Sequence, residues 1–223
     1  MSIINVAVDG PAGAGKSTVS RRAAARLGFI YVDTGALYRA VGLNALRRGI
    51  DTKDAERVAE MLSDLKVELA FADGVQSVLL SGEDVSEAIR TPEASMAASE
   101  VSAVPAVRSF LFGLQKDIAK ANNCIMDGRD IGTVVLPDAQ VKIFLTASPE
   151  ERATRRYKEL CDKGVKADYK DVLAEMIERD YNDSHRAIAP LKPAEDSVTV
   201  DTTGLTLEQS VEKVAGLIKE KLE

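Results

Sequence analysis

The sequence predicts an α/β fold: a five-stranded parallel sheet with helices on both faces. Three observations carry that prediction. Ile3 to Val8 is a short, β-branched apolar run. A glycine-rich loop follows and opens a helix through Val19, Ala23 and Leu27, which Gly28 stops. Phe29 to Val32 is a second short apolar run. Strand, helix and strand within about thirty residues make a βαβ unit, whose crossover joins parallel neighbours.

Three later apolar runs supply the remaining strands: Cys124 to Met126, Val141 to Thr146 and Ser197 to Val200. The helices between them have their own signals. Val107, Phe110, Leu111, Leu114 and Ile118 recur on one helical face. Ser148-Pro149-Glu150-Glu151 reads as an N-cap, a proline at the first helical position and a capping-box acid. Thr206-Leu207-Glu208-Gln209 repeats the capping box. Val211, Val214, Ala215, Ile218 and Leu222 then form the buried face of a C-terminal helix.

One region breaks the rhythm. Val67 to Phe71 and Gln76 to Ser81 alternate apolar and polar residues on either side of Ala72-Asp73-Gly74, and Asp-Gly is a hairpin turn signal. A hairpin cannot belong to a purely parallel sheet. It is read as part of an insertion over about 63–92, with an antiparallel edge of the main sheet as the alternative.

Composition narrows the functional classes. The chain has 223 residues, 29 Lys and Arg against 35 Asp and Glu, and a net charge of −6. That argues against a basic nucleic-acid binder. The two cysteines, Cys124 and Cys161, form neither a disulfide framework nor a metal-like pair, and Cys124 reads as a buried reduced thiol. No secretory signal and no apolar run of membrane-spanning length are found, so a cytoplasmic location is expected.

Gly10-Pro11-Ala12-Gly13-Ala14-Gly15-Lys16-Ser17, followed by Thr18, matches the phosphate-binding pattern GxxxxGKS/T between a predicted strand and a predicted helix. The glycines let backbone N–H groups surround phosphate oxygens at a helix N-terminus. Lys16 is expected at the β- and γ-phosphates and the Ser17 hydroxyl at Mg²⁺. Asp33 and Asp127, acids at strand ends, are the candidate carboxylates for that metal. The chain is therefore expected to bind a nucleoside triphosphate. No NKxD guanine-reading motif is present, which argues against a GTPase switch.

Arginines cluster at the predicted ends of strands and on helices. Arg152, Arg155 and Arg156 share the i, i+3, i+4 spacing of one helix face, suiting a lid over ATP or a solvated surface. Arg179, Asp183 and Arg186 fall at i, i+4, i+7 before Pro190. Met126-Asp127-Gly128-Arg129-Asp130-Ile131-Gly132 places two acids and an arginine where a strand ends, the position of sites in open α/β sheets. Asp33-Thr34-Gly35 ends the second strand, with Tyr38-Arg39 on the next helix and Thr34 as a candidate N-cap. His185 reads as incidental.

These segments together resemble the bacterial-type cytidylate kinases, the (d)CMP kinases of the nucleoside monophosphate kinase superfamily. The likeness covers nearly the whole chain: GPAGAGKST from Gly10, DTGALYR from Asp33, SGEDVSEAIRTPE from Ser81, DGRDIGTVV from Asp127, VKIFLTAS from Val141 and RDYNDSHRAIAPL from Arg179. It implies a P-loop NTPase core over 1–34, 106–150 and 166–223. It further implies a β-containing NMP-binding region over 35–105 and a helical lid over 151–165. Residues matching Ser99, Arg108 and Asp130 read the cytosine in that family, and those matching Arg39, Arg129 and Arg186 grip the acceptor phosphate. Those matching Arg179 and Asp183 face its sugar, Arg152 and Arg156 lie over ATP, and Thr34 stands where some members have Ser. The implied reaction is transfer from MgATP to CMP or dCMP by a monomer without nucleic-acid or membrane partners. Another small-molecule kinase, such as one for UMP, and a nucleotide-sensing module are the rivals.

Overall fold

The computed structural model describes residues 3–72 and 75–222. A five-stranded sheet has the order β2 (Ile30–Asp33), β6 (Cys124–Gly128), β1 (Asn5–Asp9), β7 (Val141–Thr146), β8 (Val198–Asp201), and a separate three-stranded sheet the order β3 (Val67–Ala72), β4 (Val75–Leu80), β5 (Glu83–Asp84). Contacts divide the chain into two units. One is built on Ile30–Cys124, the hairpin unit, and the other on Ile4–Phe29 with Ile125–Glu223, the P-loop unit.

In the P-loop unit, β1 (Asn5–Asp9) pairs in parallel with β7 (Val141–Thr146), and β7 in parallel with β8 (Val198–Asp201). β6 is Cys124–Gly128. Val6, Val8, Ile125, Met126, Ile143 and Leu145 are fully buried, as expected of strands covered on both faces. α1 (Lys16–Leu27) packs with α8 (Leu207–Leu222), the latter burying Val211, Val214 and Ile218. The capping box at Thr206 is reciprocal: its hydroxyl accepts from Gln209 N at 3.2 Å, and its own N donates to Gln209 Oε1 at 2.9 Å. At α6 (Pro149–Asp162) only half of the expected box forms. Ser148 Oγ accepts from Glu151 N, but the Glu151 carboxylate turns to Arg155. α7 (Tyr169–His185) packs on α6.

The hairpin unit holds β2 (Ile30–Asp33), α2 (Thr34–Arg47) and α3 (Ala55–Met61). The antiparallel strands β3 (Val67–Ala72) and β4 (Val75–Leu80) follow, with the two-residue β5 (Glu83–Asp84). α4 (Pro92–Val101) and α5 (Pro105–Ala121) complete it. The hairpin forms its own small sheet, so the edge-strand alternative does not hold. The Asp73-Gly74 turn lies outside the described residues. Leu37, Val41, Val58, Val78, Leu80, Val101, Val107 and Leu111 form one core under the hairpin. α2 and α4 approach so closely that a Cβ on Gly42 would lie 2.8 Å from the Ala97 Cβ. No helix among the described residues is long and apolar enough to cross a membrane.

Candidate functional site

The P-loop runs from the end of β1 into α1. Its backbone favours glycine at Gly10, Gly13 and Gly15, all at positive φ. Gly10 has φ +149°, and a Cβ there would lie 1.9 Å from the Leu145 carbonyl oxygen. Gly15, the N-cap of α1, sits in the left-handed region at φ 86°. Lys16 is buried, and its Nζ donates to the carbonyls of Gly10 (2.7 Å) and Pro11 (2.9 Å). Burial, reinforced by the charge of Arg129, pulls its ammonium down to about 7 against the attraction of Asp127 and Asp9.

Beside it, Ser17 Oγ donates to Asp127 Oδ2 at 2.9 Å. A hydroxyl and a carboxylate side by side are hard oxygen donors suited to Mg²⁺, which characteristically takes its remaining ligands from water and substrate phosphates. Among the described residues no group of three or more His, Cys, Asp or Glu could hold a metal without such help. Asp33 has a different occupation. It caps α2 through Oδ1, which accepts from Ala36 N at 3.0 Å, and its Oδ2 holds Arg39 Nη2 at 2.8 Å. Asp33, not Thr34, is thus the N-cap, and Thr34 is the buried first residue of the helix.

Asp9, at the end of β1, supports the candidate site although no sequence motif marks it. Its buried carboxylate accepts from Ile131 N (2.8 Å) and Gly132 N (2.7 Å), holding the loop that carries Arg129 and Asp130. That loop enters a π-helical turn, Ile131–Val135, a rare form frequently found at functional sites. Burial outweighs both hydrogen bonds and raises the Asp9 carboxyl to about 6, with Asp130 adding to the rise. The one available signal was an acid immediately ahead of the glycine-rich loop.

Within the same unit the acidic and basic residues expected at the acceptor meet. Arg129 Nε donates to Asp183 Oδ2 at 2.8 Å, and Arg186 Nη2 lies 3.5 Å from Asp130 Oδ1. Burial works against the Asp183 charge, yet Arg129, followed by Arg179 and Arg186, holds its carboxyl below the usual range. Arg179 is exposed on α7. α7 ends at His185, so Arg186 is not on its face as the spacing suggested. Arg186 is the C-cap with extended backbone, and its Nε donates to the Ala189 carbonyl. His185 stacks on Tyr181 at 4.0 Å.

The three arginines of α6 do not share a destination. Arg152 is buried and fully engaged: Nε donates to Ala147 O, Nη1 to the P-loop carbonyl of Ala12 at 3.0 Å, and both Nη atoms to the Asp180 carboxylate. Arg155 reaches Thr202 O, and Arg156 pairs with Glu159 near the surface. Spacing placed them on one face, but a helix buries part of such a face and exposes the rest. Asp180 is a second residue that sequence reasoning missed.

In the hairpin unit, Arg39 is held by Asp33 at one end, while its buried Nε has no hydrogen-bond partner among the described residues. Arg108 lies over the Tyr38 ring, 5.9 Å from its centroid, and Ser99 is exposed on α4. Cys124 is buried, with its thiol pushed up to about 12 by burial, and Cys161 is exposed.

A strand–loop–helix with a buried lysine and a hydroxyl–carboxylate pair at strand ends defines the class of P-loop nucleotide-binding proteins. The cytidylate kinase family model matches residues 6–220. The chain belongs to the cytidylate kinase family. A cytidylate kinase of Caldicellulosiruptor saccharolyticus is 52% identical over 97% of this chain and 96% of its own. One of Caldanaerobacter subterraneus is 52% identical over 97% and 95%. Among solved structures, an uncharacterised protein of Eubacterium ventriosum shares the fold, with a TM-score of 0.55 at 12% identity over 97% of this chain and 98% of its own.

Proposed function

We propose that the chain is a (d)CMP kinase, transferring the γ-phosphoryl group of ATP to the α-phosphate of CMP or dCMP to give CDP or dCDP and ADP. The observation that carries this is membership of the cytidylate kinase family over nearly the whole chain, with Lys16 and its loop intact. The acceptor phosphate is already nucleophilic, so no general base is required. Catalysis rests on positioning and charge neutralisation.

In this proposal residues Gly10 to Thr18 take the ATP phosphates, with Lys16 moving from the Gly10 and Pro11 carbonyls to the β- and γ-oxygens. Ser17 and Asp127 would hold Mg²⁺, which would supply charge neutralisation to the phosphates when bound. Arg39, Arg129 and Arg186 serve the acceptor phosphate, and the unpartnered Nε of Arg39 supports that assignment. Thr34 adds a hydroxyl. Asp130 accepts from the cytosine amino group, and Ser99 and Arg108 serve the ring acceptors. Uracil puts a carbonyl where cytosine has the amino group, which a carboxylate repels. Arg179 and Asp183 serve the sugar.

Residues 35–105 are the acceptor-binding region and 151–165 the lid. Arg156 reaches ATP directly, whereas Arg152 does so by exchanging the Asp180 carboxylate for a phosphate. The enzyme is proposed to work as a monomer on free nucleotides in the cytoplasm, and its net charge of −6 supports the absence of nucleic-acid partners. A panel of CMP, dCMP, UMP, AMP and GMP in a coupled ADP-release assay tests the proposal. CMP or dCMP is expected to give ADP and its own diphosphate in equal amounts. Faster turnover of UMP, or ADP release without CDP, overturns it.

A further inference from the structure

The hairpin over 63–92 contains no residue to which the resemblance assigns a role, yet one of its side chains is tied into the acceptor region. Gln76 lies on β4, opposite Phe71 of β3. Its amide faces the main chain of Asp33 at the end of β2. Asp33 N donates to Gln76 Oε1 at 2.8 Å, and Gln76 Nε2 donates to the Asp33 carbonyl at 3.4 Å. A primary amide offers one donor and one acceptor side by side, as a peptide edge does, so it can pair with both backbone groups of a single residue. From Asp33 the connection continues. The same residue caps α2 through Ala36 N and holds Arg39 at 2.8 Å. Hairpin, strand end, helix start and arginine thus form one unbroken series of hydrogen bonds.

We infer that Gln76 is a positioning residue: through the Asp33 main chain it sets the Asp33 carboxylate, and through that carboxylate the Arg39 guanidinium, for an acceptor phosphate. The inference rests on the acceptor-phosphate role proposed for Arg39. It gives the hairpin a task in phosphate recognition without direct contact with substrate. The need for an amide is specific. Alanine supplies neither bond. Glutamate keeps the acceptor for Asp33 N but sets an anionic oxygen against the Asp33 carbonyl.

Kinetics of four variants test this: Gln76→Ala, Gln76→Glu, Arg39→Ala and the double variant Gln76→Ala with Arg39→Ala. Loss of about one net hydrogen bond's worth of positioning predicts that Gln76→Ala lowers kcat/KM for CMP about five- to tenfold, with KM for ATP unchanged. Gln76→Glu should lose at least half as much on a logarithmic scale, and it stands in for the alanine variant should that fail to fold. In the Arg39→Ala background the Gln76→Ala penalty should vanish, because neighbours acting in series are not additive. A Gln76→Ala protein that melts earlier but keeps its kcat/KM for CMP overturns the inference, as does an equal penalty with and without Arg39. An Arg39→Ala enzyme with unaltered CMP kinetics instead removes the acceptor-phosphate role of Arg39, and the inference falls with it.

Discussion

The charged side chains of the two units meet water on different terms. In the P-loop unit, Asp9, Lys16, Asp127, Asp130 and Arg152 are each less than a tenth exposed. In the hairpin unit the Asp33 and Arg39 side chains keep 23% and 26% of their surface. The buried set is fixed largely by main-chain groups: N–H donors on Asp9, carbonyls on Lys16, and two carbonyls plus Asp180 on Arg152. Its desolvation shows as an acid raised to about 6 and an ammonium lowered to about 7. The Asp33–Arg39 pair stays in reach of water, where Coulomb attraction is screened and worth little. Its geometry therefore depends on hydrogen-bonded support from the hairpin. One region holds charge ready at the expense of stability; the other holds it loosely and braces it.

The largest test of that contrast is Lys16→Ala. It should lower kcat by roughly 10²–10³-fold, the loss typical of one charge-stabilising donor. A steady-state assay that found most activity retained would leave the buried set without its purpose. Next comes Asp130→Asn, expected to weaken CMP about tenfold or more while leaving ATP affinity intact, as the loss of a hydrogen bond to a charged group implies. Calorimetric titration with each nucleotide separately reads this, and equal losses for both would dissolve the distinction between the sites.

Stability offers the third comparison. Asp180→Ala strips a buried guanidinium of its carboxylate and should cost about 1–3 kcal/mol, discounted because Asp180 itself is 27% exposed. Arg39→Ala, at the wetter pair, should cost no more than about 1 kcal/mol. Urea unfolding without nucleotide measures both, and a reversed order would break the comparison. The last test is read as a slope against pH. Lys16 titrates near 7 when folded against 10.5 as its ordinary value, so between those values the unfolded chain holds more protons. Its contribution to stability therefore rises with pH over that window. Asp9 acts oppositely at lower pH: its contribution is greatest below 3.8 and is lost as pH climbs through about 6. Lys16→Met should flatten the upper slope in urea unfolding repeated from pH 7 to 10.5.

Much of this was legible in the chain because it is written locally. The phosphate loop, the capped starts of α6 and α8, and the apolar runs that became β1, β2, β6, β7 and β8 each depend on residues a few positions apart. Strand ends shifted where a polar residue closes the strand, as Asp9 does for β1 and Asp33 for β2. The π-helical turn after Asp130 had no sequence signal, since bonding five residues apart has no compositional mark of its own. The contact of Asp9 with Ile131 spans 122 positions, and no periodicity reaches that far. The spacing of Arg152, Arg155 and Arg156 placed them on neighbouring parts of a helix but did not say which part faces inward. Arg186 left its expected face because α7 stops one residue earlier.

Lys16 has one more consequence. Burial lowers the Lys16 ammonium below its ordinary value, so as pH rises it would give up its charge earlier than an exposed lysine does. An anionic phosphate seated on it would restore that charge by drawing a proton from solution. Nucleotide binding would then consume acid, and the heat of association would include the ionisation enthalpy of whichever buffer gives up the proton. Affinity for ATP would become in part a property of the surrounding medium. The loop proposed to grip phosphate would then also make ligand occupancy answer to the acidity around it.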